Sequence, residues 1–142
     1  MKTLSLFDII GPNMVGPSSS HTAGALAIAR MAIAEVSGKV VKVEFVLYGS
    51  FADTHEGHGT DKALLGGILG YDTDDRRIKD AFTHADAAGL VYTFKEDHTT
   101  IAIHPNTVDI LLETHLGERK QVRGVSTGGG AAELVPLGAS LV

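Results

Sequence analysis

The first group of residues suited to ligand binding or catalysis lies in segment 11–22, where three serines and a histidine follow two Gly-Pro steps. An alanine-rich apolar run begins at Ala23, so the pattern predicts a loop that leads into the N-terminus of a helix. The first backbone N–H groups of a helix lack intrahelical partners, and the helix dipole is positive at that end. Hydroxyl groups and an imidazole beside such donors are suited to hold a small anion, such as a carboxylate. The candidate substrate-binding residues of this segment are Ser18, Ser19, Ser20, His21 and Thr22.

The same segment has a simpler interpretation, in which Ser20 or Thr22 caps the helix and no ligand binds. A phosphate-binding loop of the Gly-x-x-x-x-Gly-Lys type does not fit, because the segment has no lysine to meet a phosphate. If the segment binds an anion, a carboxylate therefore suits it better than a nucleotide.

A second candidate site lies in segment 49–59, which is expected to form a loop between a strand and a helix. His58 stands between Gly57 and Gly59, so a substrate or a backbone can approach it closely. The helix is expected to begin at Thr60, and its positive end disfavours imidazolium, which keeps the ring neutral. A neutral imidazole can accept a proton, so His58 is the candidate general base. Gly59 and Thr60, which follow it directly, are further candidate substrate-binding residues.

Two other interpretations of this loop stay open. Asp53, His55 and His58 would together offer metal ligands, but their spacing differs from His-Glu-x-x-His and is weakly diagnostic, so no metal site is predicted. His58 could also be an exposed loop histidine without any role. The remaining histidines are interpreted as surface or structural residues: His84, His98, His104 and His115.

The elements that must position these residues predict an α+β domain, with helices packed on one mixed, mostly antiparallel sheet. Helices are predicted over 21–37, 60–69 and 74–88, and strands over Val40–Tyr48, 90–95, 99–104 and Thr107–Thr114. Segments 2–10 and 121–126 are weaker strand candidates, and 131–142 has no strong pattern. Short connections at 96–98 and 105–106 predict hairpins.

Single residues are expected to shape the predicted helices. Gly38 is predicted to end the first helix and Thr60 to cap the second. Gly66 and Gly67 lie inside the second helix, where they are expected to allow close packing.

The composition limits the classes of function. The 142 residues suit about one domain, and a net charge of −5 without a basic stripe disfavours nucleic acid and anionic membranes as partners. No apolar run reaches the roughly 18 residues of a membrane span, and the N-terminus does not resemble a signal peptide. The chain has no cysteine, which excludes disulfides, thiol nucleophiles and an iron–sulfur cluster held by its own thiolates. A cytoplasmic location is expected.

Four segments of the sequence resemble the β subunit, or β domain, of the bacterial iron–sulfur-dependent L-serine dehydratases. They are Gly-Pro-Ser-Ser-Ser-His-Thr at 16–22, Tyr-Gly-Ser at 48–50, Gly-His-Gly-Thr-Asp-Lys-Ala at 57–63 and Ser-Thr-Gly-Gly-Gly at 126–130. The matches occur in order over about residues 1–134, which predicts one domain of this type and a tail at 135–142. Two-chain members often continue into a small ACT domain, so the tail is expected to mark either its absence or a truncation before it.

The resemblance implies an enzyme that eliminates ammonia from L-serine to give pyruvate, with this chain as one half. It implies a [4Fe–4S] cluster carried by cysteines of an α subunit, whose open iron acts on the serine hydroxyl. The absence of cysteine here agrees with that division. The position matching the family's proposed base is His58, and the serine-rich segment is expected near the substrate. A homo- or hetero-oligomer is expected.

The resemblance also supplies a rival from another class. The family's domain is similar to the amino-acid-binding regulatory domain of some phosphoglycerate dehydrogenases, which would make this chain a non-catalytic effector module. A third possibility is a structural subunit that only shapes its partner's site. The glycine-flanked His58 favours the enzyme, because binding alone requires no base.

Overall fold

The computed structural model describes residues 20–54, 59–99, 106–128 and 130–136. The helices are α1 (Ser20–Ile33), α2 (Gly49–Thr54), α3 (Thr60–Ile68) and α4 (Ala81–Ala87), with a 3₁₀ helix at Arg76–Asp80. The strands are β1 (Val40–Tyr48), β2 (Val91–Asp97), β3 (Thr107–Thr114), β4 (Arg119–Gly128) and β5 (Ala131–Val135). The predicted α+β class is confirmed.

The five strands form one mixed sheet in the order β2-β1-β3-β4-β5. β1 pairs with β2 in parallel, and the other three pairings are antiparallel. β1 therefore lies between β2 and β3. The prediction of a mixed, mostly antiparallel sheet is confirmed.

One face of this sheet forms the core. Phe45 and Leu47 of β1 are buried there, and the Phe45 ring stacks on Phe94 of the neighbouring β2 with 4.8 Å between centroids. Val108 and Ile110 continue the same face on β3. Because side chains alternate between the two faces of a strand, Tyr48 and Asp109 belong to the face away from this core.

Helices α1 and α3 contact each other closely at Gly67. A Cβ on Gly67 would lie 2.5 Å from the Cβ of Ala29 and 2.7 Å from the carbonyl oxygen of Leu26. The predicted role of Gly67 in close packing is therefore confirmed. Ile33 at the end of α1 and Ile68 at the end of α3 line one cavity, so both helices end at the same end of the sheet.

Several local predictions are wrong. The first helix ends at Ile33 and not at residue 37, so Gly38 does not cap it. Residues Gly49–Thr54 form helix α2, where a loop was expected. The cap of α3 is Gly59 with a φ of 83°, and Thr60 is the first helical residue.

The remaining differences concern the second half of the chain. The helix predicted over 74–88 divides into the 3₁₀ helix and α4, and β2 extends to Asp97 through expected turn residues. The fourth strand is confirmed as β4, and β5 was not predicted. The candidate strand at 2–10, nearly all of the strand at 99–104 and the predicted hairpins that depend on it lie outside the described residues. Among the helices described, none has the length and apolar character to cross a membrane.

Candidate functional site

The segments that carry the candidate residues meet at one end of the sheet, which we call the site end. It consists of the start of α1 (20–24), the end of β1 with α2 (48–54), the start of α3 (59–61) and the β4–β5 turn (126–128 and 130). Gly24 packs so tightly on Ser126 that a Cβ would lie 2.1 Å from its Oγ. A Cβ on Gly130 would lie 3.4 Å from the Cβ of Ala23. The start of α1 is therefore in direct contact with the β4–β5 turn.

Ser20, His21 and Thr22 form the first turn of α1. Thr22 is buried, and no acidic residue lies in this turn to offset the positive end of the helix. Ser18 and Ser19 lie outside the described residues. The N-terminus of α1 is thus a positive helix end held against Ser126.

The N-terminus of α3 carries the clearest unmet polar group. The Thr60 side chain is fully buried, and its Oγ1 has no hydrogen-bond partner in the described part of the chain. No side chain caps this helix, and Gly59 holds the left-handed conformation that leads into it. A buried hydroxyl without a partner costs about 1–3 kcal/mol, which makes the start of α3 a candidate site for a group that would satisfy it.

Neither helix is isolated from the other, because the Gly67 contact described above joins them. Since α1 and α3 end at the same cavity, their N-termini both point to the site end. Two positive helix ends in one region favour a negatively charged ligand group. The structure thus brings Ser20, His21, Thr22, Gly59 and Thr60 to one end of the domain. His58 lies outside the described residues, directly before Gly59.

A buried polar cluster lies beside the site end. The Tyr48 hydroxyl donates to Asp109 Oδ2 at 2.8 Å. Arg123 donates to both oxygens of the same carboxylate, from Nε at 2.6 Å and from Nη2 at 2.8 Å. The exposed fractions are 6% for Tyr48, 5% for Asp109 and 6% for Arg123. We call these residues the Tyr48–Asp109–Arg123 cluster.

The electrostatics of the cluster keep the tyrosine protonated. Burial, with the hydrogen bond to Asp109, raises the pKa of Tyr48 to about 12. The same carboxylate raises the pKa of Arg123 above its ordinary value. At neutral pH Tyr48 is therefore a hydrogen-bond donor and Arg123 a cation.

Sequence reasoning did not find Asp109 and Arg123. The available signal was a charged residue within each of two otherwise apolar strand segments. Their pairing depends on the register in which Asp109 lies opposite Arg123.

No residues suited to a metal come together in the part of the chain that the structure describes. There, no group of three His, Cys, Asp or Glu residues could hold an ion. The sequence also has no cysteine, so this chain supplies no thiolate.

A sequence profile described as serine dehydratase beta chain matches residues 4–133. The chain belongs to the serine dehydratase beta chain family. The resemblance found in the four segments is thereby confirmed, and those segments fall within the matched range.

Curated relatives agree with this family. The chain is 52% identical over 137 residues to the L-serine dehydratase beta chain of Peptoniphilus asaccharolyticus, covering 96% of this chain and 62% of the relative. It is 46% identical over 137 residues to the probable L-serine dehydratase beta chain of Bacillus subtilis, covering 96% and 61%. An L-serine dehydratase of Mycobacterium tuberculosis is 32% identical over 126 residues, covering 80% and 26%. The chain thus spans less than two thirds of the length of these relatives.

Proposed function

We propose that this chain is the beta chain of an iron–sulfur L-serine dehydratase, active only with an alpha chain. The reaction is the deamination of L-serine to pyruvate and ammonia. The observation that carries the proposal is 52% identity over 96% of the chain to a protein named L-serine dehydratase, beta chain. That name also supports an alpha-chain partner.

The [4Fe–4S] cluster of this proposal belongs to the alpha chain. Such clusters are held by cysteine thiolates, and this chain has none. The described residues also bring no other set of metal ligands together. The residues present do not fit the cluster, so the role of this chain is derived from its own groups.

Substrate binding is proposed at the site end. The two helix N-termini supply backbone N–H donors and positive potential for the carboxylate of serine. The unpartnered Thr60 hydroxyl offers a further hydrogen bond. The proposed binding residues are Ser18, Ser19, Ser20, His21, Thr22, Gly59 and Thr60.

His58 is proposed as the general base. Its position ahead of the positive end of α3 favours the neutral imidazole, which takes the proton from Cα. The electrons of that C–H bond form a Cα–Cβ double bond while the Cβ–O bond breaks, and the departing hydroxide takes up a proton and leaves as water. The aminoacrylate tautomerises to an imine, and its hydrolysis takes up water to release pyruvate and ammonia. The base must lie within about 3 Å of the proton, so His58 must face the alpha chain.

Replacing His58 by alanine in the assembled enzyme tests the proposal. We expect kcat to fall by about 10² or more, the usual size of a general-base contribution. The control is His115→Ala, because His115 is exposed in the β3–β4 turn, at the opposite end of the sheet, where its ring accepts from the backbone N–H of Lys39. The control should retain kcat within about twofold, and the assay is pyruvate formation.

A fall of less than about threefold for His58→Ala would reject the base. The chain would then be a non-catalytic amino-acid-binding module or a subunit that shapes the alpha-chain site. L-Serine binding by the variant separates these two outcomes.

A further inference from the structure

The Tyr48–Asp109–Arg123 cluster joins three neighbouring strands at their site ends. Tyr48 is the last residue of β1, Asp109 lies opposite Val46 on β3, and Arg123 lies opposite Asp109 on β4. All three side chains are buried on the sheet face away from the core. The cluster therefore does not contribute to the apolar packing that holds the helices on the sheet.

Two parts of the site end continue directly from these strands. Helix α2 begins at Gly49, immediately after Tyr48, and leads along the chain to Gly59 and Thr60. On β4, Ser126 follows Arg123 by three residues and packs on Gly24 of α1. A shift of β1 relative to β4 would therefore move α2 relative to the start of α1.

The bonding in the cluster opposes such a shift. Arg123 grips Asp109 with two parallel N–H donors, and this two-point contact fixes orientation as well as distance. Tyr48 adds a third bond to the same carboxylate from the strand on its other side. Separating a buried charged group from its partner lowers the stability of the fold, so the cluster favours a single geometry.

We propose that the Tyr48–Asp109–Arg123 cluster is a positioning device that holds α2, the helix that leads toward the start of α3, in a fixed place relative to the start of α1. Tyr48, Asp109 and Arg123 are thus positioning residues and not catalytic ones. This inference rests on the proposed function, because it assigns His58 the chemistry that the cluster supports.

The test is Tyr48→Phe in the assembled enzyme, which removes the hydroxyl and keeps the ring. A small misplacement of a catalytic group costs up to about 10² in rate, and we expect kcat to fall about tenfold or more. The matched control is Tyr92→Phe, because the Tyr92 hydroxyl also donates to an aspartate, Asp86 Oδ1, at 3.0 Å. That pair is exposed and lies between β2 and α4, so its kcat should change by less than about twofold.

A double-variant cycle shows whether Tyr48 acts through His58. In the His58→Ala background, Tyr48→Phe should lower the residual rate by less than about twofold, because the group it positions is gone. An equal loss in both backgrounds would overturn the inference while leaving the base assignment intact. If His58→Ala alone has no effect, the proposed function fails first, and the inference fails with it.

Arg123→Lys provides a second variant that retains the charge. Lysine keeps the positive charge beside the Asp109 carboxylate but cannot make the two-point contact with it, so we expect kcat to fall. If Tyr48→Phe does not assemble with the alpha chain, the same cycle is run with Arg123→Lys. A kcat within about twofold of the wild type for the assembled variant would contradict the inference.

Discussion

The two ends of the domain satisfy their polar groups in different ways. At the site end, α1 and α3 begin, and the Thr60 hydroxyl is buried with no partner in the described residues. At the opposite end, Ile33 and Ile68 line a cavity of about 360 Å³ with the first residue of β1, Val40. There the chain supplies its own polar partners, through the carboxylate of Glu118.

The Glu118 contacts show how complete this satisfaction is. Its carboxylate accepts from the backbone N–H of Gly38 at 2.8 Å, from that of Ser37 at 3.1 Å and from Thr114 Oγ1 at 3.3 Å. These bonds tie the turn after β3 to the connection before β1. The backbone donors of the opposite end are thus satisfied by its own residues, whereas the Thr60 hydroxyl of the site end has no partner in the described residues.

The largest expected effect on stability comes from the Gly67 contact between α1 and α3, the two helices that run from the site end to the opposite end. Gly67→Ala places a Cβ against Ala29 and the Leu26 carbonyl, so we expect a loss of about 2–3 kcal/mol in the free energy of unfolding. Gly66→Ala is the control, because its nearest neighbour is Ile78 Cγ1 at 3.3 Å and the side chain can adjust. Denaturant unfolding measures both. Equal stabilities for the two variants would show that α1 and α3 are not held by this contact.

The site end should show an alkaline loss of stability. The pKa of Tyr48 is raised to about 12 in the folded chain from an ordinary value of 10.0, so folding favours its protonated form. The resulting stability is fully present below pH 10 and is lost as the pH rises to about 12. The loss should be about 2–3 kcal/mol in wild type and absent in Tyr48→Phe. Parallel alkaline profiles for the two proteins would contradict the buried hydrogen bond.

The opposite end should show a smaller, acidic loss. Backbone hydrogen bonds from Ser37 and Gly38 hold the pKa of Glu118 below its ordinary value of 4.5. Its stabilising contribution is therefore present above that value and is lost as the pH falls. Glu118→Gln should lower stability at neutral pH and flatten the acid limb of the unfolding profile. The control is Glu113→Gln, because the Glu113 carboxylate is exposed and lies 3.8 Å from Arg119 Nε. An acid limb unchanged by Glu118→Gln would argue against this closure.

Alternation and short motifs predict most of the fold. Every second residue of β1 from Val41 to Leu47 is apolar, and every second residue of β3 from Val108 to Leu112 is apolar too, so both strands were located correctly. The two candidate segments were chosen because glycines, serines and histidines cluster where strands and helices meet, and their described residues lie at one end of the domain. Their role in binding and catalysis stays a prediction.

The missed features depend on tertiary contacts. Helix α2 has six residues, too few to show a helical period, although Phe51 and Ala52 are buried in the core. β5 contains two alanines and gains its strand structure by pairing with β4. The Asp109 and Arg123 pair needed a register that no single strand specifies.

Amide hydrogen exchange of this chain, alone and assembled with the proposed alpha chain in the presence of L-serine, shows whether substrate and partner bind at the site end. We expect slower exchange in the assembled state at residues 49–54 and 59–62, because substrate and partner are both proposed to bind at the site end. Residues 37–39 and 115–118 should exchange equally in both states. Protection confined to these two segments of the opposite end, with the site end unchanged, would contradict the account.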